Sequence, residues 1–413
     1  MKIGKVISLV LAFALILALL ASCASTYEHR GPEGTYAPAP ATGAPKQSSY
    51  HQPSYTYAPA TQMPQIHAEE YSGITENLFS NTVQSPLSTF SIDVDTASYS
   101  NSRRFIEDGI RPPEDAVRVE EFINYFTYDF RQPEGYVPFS LTTELSQCPW
   151  NPENYLAMVA LQGKNINKEE MPLSNLVFLL DVSGSMNDPL KLPLLKSSFH
   201  LLVEQLGEND RVSIVVYAGA SGVVLNGARG DQKDKIMEAI NSLEAGGSTA
   251  GGAGIKLAYK IASKNYIHGG NNRVILATDG DFNVGVSSQS GLEKLIEEKR
   301  EEGVFLSVLG FGTGNIKDNK METLADKGNG NYSYIDCLAE AKKVLVNEMG
   351  GTLLTIAKDV KIQIEFNPAY VKEYRLVGYE NRILQNDDFH DDSVDAGEIG
   401  AGHCVVAFYE VIP

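Results

Sequence analysis

The sequence predicts an α/β protein: a doubly wound, three-layer domain preceded by a small α+β region and followed by a β-rich extension. Two observations carry this expectation. Between residues 172 and 350, apolar runs such as 176–180 alternate with amphipathic segments of helical spacing. Continuous apolar strands separated by helices imply a mostly parallel sheet covered on both faces, and right-handed crossovers make double winding the economical arrangement. After Gly351, strand-like segments follow one another without helical crossovers.

The 413 residues exceed one ordinary domain, since roughly 150 residues per domain suggests two or three units. An apolar content of 43% suffices for cores, and a formal charge of -18 argues against a nucleic-acid or anionic-membrane binder, because no basic field attracts phosphates. Lys2 and Lys5 precede an almost unbroken apolar stretch at 6–21, which reads as an export signal at 1–22. That stretch falls short of the roughly 20 residues of a membrane-spanning helix. The run Leu20-Ala21-Ser22-Cys23 resembles a bacterial lipobox, which implies that Cys23 is acylated and anchors the chain to a membrane. The expected location is the bacterial cell envelope, on the inner, the outer or the sole membrane. Residues 23–70, rich in Pro, Ala, Ser, Thr and Tyr, cannot bury enough surface to offset ordering and read as a disordered tether. Cys148, Cys337 and Cys404 form neither a disulfide framework nor a zinc quartet and read as small buried hydrophobes.

The α+β region at 75–165 is expected to hold a strand at 88–94 and a helix at 102–109. After Pro112-Pro113 comes a second helix at 117–126, burying its aromatics and aliphatics, then strands at 139–145 and 155–162. The central domain at 172–350 should place strands at 176–180, 211–217, 223–225, 273–278, 304–309 and 332–335. Its helices fall at 192–206, 232–243, 252–264, 291–302, 320–327 and 338–349, the last stopped by Gly350 and Gly351. Strands at 360–366, 372–379 and 404–411, with a loop at 386–398, make the extension at 351–413. The chain stops at Pro413 directly after an apolar strand pattern, which suggests a truncated version of a longer product.

A parallel sheet presents its ligand site beyond the carboxyl ends of its strands. There the sequence places Asp181-Val182-Ser183-Gly184-Ser185, an aspartate and two hydroxyls that suit a hard, oxygen-seeking cation. A hydroxyl turn or helix cap is the competing reading. Thr249 lies in the loop Gly246-Gly247-Ser248-Thr249, and Asp279 closes the strand 273–278. In this order the five residues resemble the metal-ion-dependent adhesion site of von Willebrand factor type A domains, a Rossmann-like fold, over about 175–349. The resemblance implies that Ser183, Ser185 and Thr249 are hydroxyl ligands, direct or nearly so. It makes Asp181 and Asp279 anchors acting largely through waters and hydrogen bonds, with Asp281 and Asn283 at the rim. The stretches 90–95, 122–126 and 395–403 resemble the flanking regions of a bacterial family of exported type A lipoproteins. The function implied is a membrane-anchored, divalent-metal-dependent protein-binding or adhesion module. The ion would be Mg2+, with Mn2+ or Ca2+ as alternatives, and a partner's Asp or Glu carboxylate would complete its coordination.

Two other function classes compete. One is an envelope assembly scaffold without metal-dependent recognition. The other is a metal-dependent hydrolase, but no Gly-x-Ser-x-Gly elbow is present, and nothing assembles His200, His268 or His403 with Ser183 or Ser185. Asp181 as a phosphate-accepting nucleophile fits the two serines less well than ion binding does, so no catalytic residue is assigned and the chain is read as a non-enzyme. Nor is a nucleotide expected. Lys256 is followed by Leu257 rather than Ser or Thr, and the glycines at 310–314 lack the dinucleotide pattern. Asp93 and Asp95 read as a helix-capping turn. Asp387, Asp388, Asp391, Asp392, Asp395 and Glu398 read as an exposed acidic loop, with weak calcium binding as the alternative.

Overall fold

Leu176, Phe178 and Leu180 leave their strand on one face and Val177 and Leu179 on the other, and all five are fully buried. Strand side chains alternate, so a continuous apolar run is what a sheet covered on both sides requires. The computed structural model describes residues 69–413 except 168–169, 248–250, 281, 283–288, 349–353, 392–393 and 395. The export signal, Cys23, almost all of the tether, Thr249, Asp281, Asn283, Asp392 and Asp395 therefore lie outside the described residues.

Strands β1 (Ser80–Asn81) and β2 (Leu87–Ser91) lead into helices α1 (Ala97–Glu107) and α2 (Val119–Asn124), then β3 (Phe139–Gln147) and β4 (Tyr155–Gly163). The central segment supplies β5 (Ser174–Asp181), α3 (Leu192–Gln205), β6 (Arg211–Tyr217), β7 (Ser221–Arg229), α4 (Lys233–Asn241) and α5 (Gly251–Lys264). It continues through β8 (Asn271–Thr278), α6 (Gln289–Glu301), β9 (Phe305–Phe311), α7 (Asp318–Lys327), β10 (Tyr332–Ile335) and α8 (Leu338–Lys342). The last part holds β11 (Thr355–Glu365), β12 (Glu373–Val377), β13 (Ile383–Leu384), β14 (Gly397–Gly400) and β15 (Cys404–Ile412).

The central sheet has the order β10-β9-β8-β5-β6-β7, parallel throughout except for the antiparallel β6–β7 hairpin. Phe178 and Phe199 meet at 4.3 Å between ring centroids in the core under α3, while Val177, Leu179, Ile255 and Tyr259 fill the core under α5. This is the expected doubly wound, three-layer α/β arrangement. From β5 the chain crosses to β6 on one side, and β8 later pairs on the other, so the strand order reverses at β5. Such a switch point leaves a crevice at the carboxyl end of the strand.

The flanking regions do not fold in succession. They interleave into two antiparallel sheets, β1-β12-β15-β4-β3 and β13-β2-β11-β14, each containing strands from before and after the central domain. Phe90, Phe366, Tyr374, Tyr379 and Tyr409 pack between them.

Several expectations need correction. Helix α1 starts at Ala97, five residues earlier than its apolar spacing suggests, because Ser98, Ser100, Asn101 and Ser102 are buried alongside Phe105. Helix α2 buries Glu120, Glu121 and Asn124 and leaves Val119 exposed, as is Phe126 just beyond it, since its inner face meets polar partners such as Ser98, Arg118 and Tyr379. The expected helix 338–349 stops at Lys342 and continues as a π-helical turn, Lys343–Asn347. Strand β14 lies partly in the stretch read as a loop. The three described cysteines are free, but only Cys148 is buried, with Cys337 and Cys404 partly exposed.

Candidate metal centre

Strand β5 ends at the switch point with Asp181, which is fully buried. Its Oδ1 accepts a hydrogen bond from the Ser183 N–H at 2.8 Å, and its Oδ2 accepts one from the Thr278 hydroxyl at 3.3 Å. Both oxygens are thereby held by the turn that follows β5 and by the neighbouring strand end of β8. A 3-10 turn, Gly184–Met186, comes next, and the wholly buried Met186 pins it to the core. Ser183 occupies the N-cap position of that turn without using its side chain as a cap, which removes the cap reading of this hydroxyl. Instead the Ser183 and Ser185 hydroxyls share a 3.0 Å hydrogen bond, with Ser183 buried and Ser185 exposed.

The loop that carries Thr249 is tied to the same turn. Gly184 N–H donates to the Gly247 carbonyl at 3.0 Å, and Gly246 N–H donates to the Val182 carbonyl at 2.8 Å. Thr249 itself, like Asp281 and Asn283, lies outside the described residues. Asp279 follows β8 directly and is buried, and its Oδ2 accepts a 2.7 Å hydrogen bond from the ammonium of Lys191. Gly280 then turns the chain at φ 106°, where a Cβ would overlap the Asn315 carbonyl oxygen, so only glycine fits without strain. The structure thus brings Asp181, Ser183, Ser185 and Asp279 to one sheet edge.

Burial pushes the Asp181 carboxyl up to about 6; the Ser183 hydrogen bonds oppose this, and the charge of Asp279 adds to it. Tyr217, paired with Asp181 across the β5–β6 register, is buried and shifted upward by burial and then by Asp181. Its hydroxyl makes no hydrogen bond of normal geometry among the described residues. Its hydroxyl is turned toward Asp181 and Thr278, whose proximity contributes to the shifts of both Tyr217 and Asp181.

The donor chemistry fits a hard divalent cation: two carboxylates and two hydroxyls, all oxygen. For metal–oxygen bonds of about 2.1 Å, adjacent corners of an octahedron lie about 3.0 Å apart, which the two serine oxygens match. Among the described residues no group of three or more His, Cys, Asp or Glu side chains forms a metal cluster. The candidate centre is of a different kind, drawing half of its oxygens from hydroxyls.

The other singled-out residues fall elsewhere. Asp95 does not cap α1. Its Oδ1 accepts the Tyr332 N–H at 2.7 Å, tying the amino-terminal region to β10, while Asp93 pairs with Arg382 at 3.0 Å. Among the described residues no imidazole bonds to either serine hydroxyl. Asp388 is a local cap, accepting the Gln385 N–H at 2.8 Å. A cavity of about 870 Å³, lined by Tyr125, Tyr128, Lys343 and His403 among others, includes none of the candidate metal residues. No helix among the described residues is long and apolar enough to cross a membrane. Sequence reasoning passed over Thr278, Tyr217 and Lys191. Thr278 directly precedes Asp279 and could have been found by adjacency, whereas the other two come together with the site only through the fold.

Comparison with known proteins agrees with this architecture. A family model described as von Willebrand factor type A domain matches residues 175–346. One described as von Willebrand factor matches 65–158, and one described as YfbK, C-terminal, matches 351–413. The Escherichia coli (strain K12) protein YfbK is 49% identical over 361 residues, covering 86% of this chain and 63% of YfbK. The Synechocystis protein sll0103 is 32% identical over 174 residues, covering 41% of this chain and 39% of that protein. The chain therefore spans less than two thirds of either relative. A solved von Willebrand factor type A structure from Catenulispora acidiphila is 18% identical with a TM-score of 0.43, covering 68% of this chain and 66% of that one. Residues 175–346 thus match, and fold as, a von Willebrand factor type A domain, and the chain, which carries additional amino- and carboxyl-terminal regions, is similar to YfbK.

Proposed function

We propose that this chain is a divalent-metal-dependent protein-binding module of the bacterial cell envelope, held to a membrane through an acylated Cys23. The carrying observation is the Ser183–Ser185 pair, 3.0 Å apart and unused for capping, beside the buried Asp181 at the switch point. The ion, Mg2+ by donor type with Mn2+ or Ca2+ as alternatives, would supply Lewis acidity to an external oxygen ligand. Ser183 and Ser185 would hold it with neutral oxygens, and Asp181 and Asp279 would fix its position from within the protein. Because hydroxyls neutralise little of its charge, an Asp or Glu carboxylate of a partner protein would complete the site. The role is recognition without catalysis. The anchoring reading rests on residues 1–23, whose charged start, apolar run and Cys23 have the order of a lipoprotein signal.

The test is a pull-down from envelope extracts with magnesium and with chelator, alongside calorimetric magnesium titration of the protein and of its Ser183→Ala/Ser185→Ala variant. The expected result is a partner retained only with the metal and a variant with much weaker magnesium affinity. Unchanged magnesium affinity in the variant would remove the site assignment. A partner retained equally in chelator would favour a metal-independent scaffold.

A further inference from the structure

Lys191 is buried, with 7% of its surface exposed, although lysine is among the residues least often found inside. It precedes α3, whose first turn it helps to close by accepting the Leu195 N–H at 2.8 Å. From there its side chain runs under the loop after β9 to the end of β8, where the ammonium meets Asp279 Oδ2 at 2.7 Å. The passage is built for it. Gly312 has a φ of 73°, and a Cβ there would overlap the Lys191 stem and come within 2.8 Å of its Cδ. The same loop is held from the far side by the Tyr334 hydroxyl, which donates to the Gly312 carbonyl at 2.7 Å. The glycine-rich run after β9, which lacks a nucleotide pattern, thus has a use: one of its glycines leaves room for a lysine.

Desolvating an ammonium is costly unless something is gained from its position. Here it sets the charge of the candidate metal centre. Asp181 and Asp279 repel each other across the sheet edge, and Lys191 neutralises one of them. Its hydrogen bond also holds one carboxylate oxygen of Asp279 toward α3. We propose that Lys191 is a positioning residue of the metal centre, which restrains Asp279 and lowers the affinity for a divalent cation so that the bound ion keeps charge for an external carboxylate. This rests on the metal-dependent reading above.

The test compares wild type with Lys191→Met, Lys191→Gln and Lys191→Arg by calorimetric titration with Mg2+ and by thermal unfolding without metal. Losing a fixed positive charge near a divalent ion should tighten magnesium binding by roughly tenfold or more, tenfold being the effect at about 6 Å under full water screening. The metal-free Tm should fall at the same time, because the buried ion pair between Lys191 and Asp279 is lost. Opposite movement of the two readouts is the signature, since a purely structural lysine would lower stability and weaken or leave unchanged the binding. Arg, retaining the charge, should keep affinity near wild type. Gln keeps a donor for Asp279 without the charge, so it should tighten binding even if Met prevents folding. A folded Gln or Met variant with unchanged or weaker affinity overturns the role of Lys191 while leaving the metal centre intact. A wild-type protein that binds no divalent ion overturns the metal reading itself, and Lys191 with it.

Discussion

Replacing Asp181 with Asn should make the metal-free protein more stable and deprive it of its response to magnesium. The carboxyl is buried and its pKa is raised from 3.8 to about 6. A raised carboxylate pKa means that the folded state favours the protonated form. Its stabilising contribution is fully present below about pH 4 and is lost as pH rises through about 6. A displacement of about two units corresponds to about 3 kcal/mol of penalty for the ionised form at neutral pH. Asn keeps the shape, can accept the Ser183 N–H and can donate to Thr278, so it should recover about 1–3 kcal/mol of this. In a domain of this size each kcal/mol moves Tm by about 2–4 °C. Thermal unfolding in chelator at pH 7.5 should therefore place Asp181→Asn several degrees above wild type, with the gap closing toward pH 4. Magnesium at about 100 times its Kd stabilises the wild type by about 2.7 kcal/mol, and the variant should gain almost none of that. An Asn variant less stable than wild type in chelator, or one that keeps the magnesium shift, would refute the reasoning.

Gly280→Ala should lower the metal-free Tm by the equivalent of about 1–3 kcal/mol, the cost of a strained backbone. It should also weaken magnesium binding, because Gly280 at φ 106° directs the chain out of Asp279 against Asn315; calorimetry and thermal unfolding read both, and an unshifted Tm would count against the fixed turn. Burial pushes Glu121 up to about 7, with Arg118 opposing and Glu322 and Asp318 adding to the rise. Stability contributed there is lost as pH rises from about 4.5 through 7, so the urea midpoint should decline between pH 5 and 8 and Glu121→Gln should flatten the decline; an equally steep slope in the variant would assign it elsewhere.

The central fold was legible because it is written in two periodicities. Strand β6 and strand β10 have the expected limits, and β5 and β8 extend theirs by a few residues. Continuous apolar runs mark strands buried on both faces, and the helices between them keep a 3.6-residue stripe. The aspartate and serine turn was legible because it follows the central strand directly. What escaped was polar and non-local. Nothing in 119–124 announces that Glu120, Glu121 and Asn124 face inward, because their partners lie far away in sequence. Asn124 donates to the Val406 carbonyl and accepts the Val406 N–H, 282 residues on. Lys191 escaped for the same reason, as its partner lies 88 residues further along. A hydrophobic pattern reports how far a residue is buried, but not which polar group awaits it there.

That limit explains why the flanking regions read as separate units and fold as one. Strand β2 pairs with β11 and β13, and β4 pairs with β15, so every one of these ladders joins residues from before the central domain to residues after it. Buried charge follows the same seam. Arg118, from the amino-terminal region, meets Glu121 beside it and Asp318 of α7 at 2.6 Å. Arg382, from the carboxyl-terminal region, meets Asp326 of α7 at 2.7 Å and Asp93 at 3.0 Å. One face of α7 therefore receives an arginine from each end of the chain. Removing either arginine would leave several buried carboxylates without their shared cation, so each guanidinium ties the seam at more than one point. The candidate metal centre lies at the ends of β5 and β8, and its described oxygens come from the central domain alone. The interleaved sheets and the candidate site are thus built from different residues. Within this chain the flanking regions hold the central domain through α7 and β10, and none of the hydrogen bonds described for Asp181 and Ser185 reaches them.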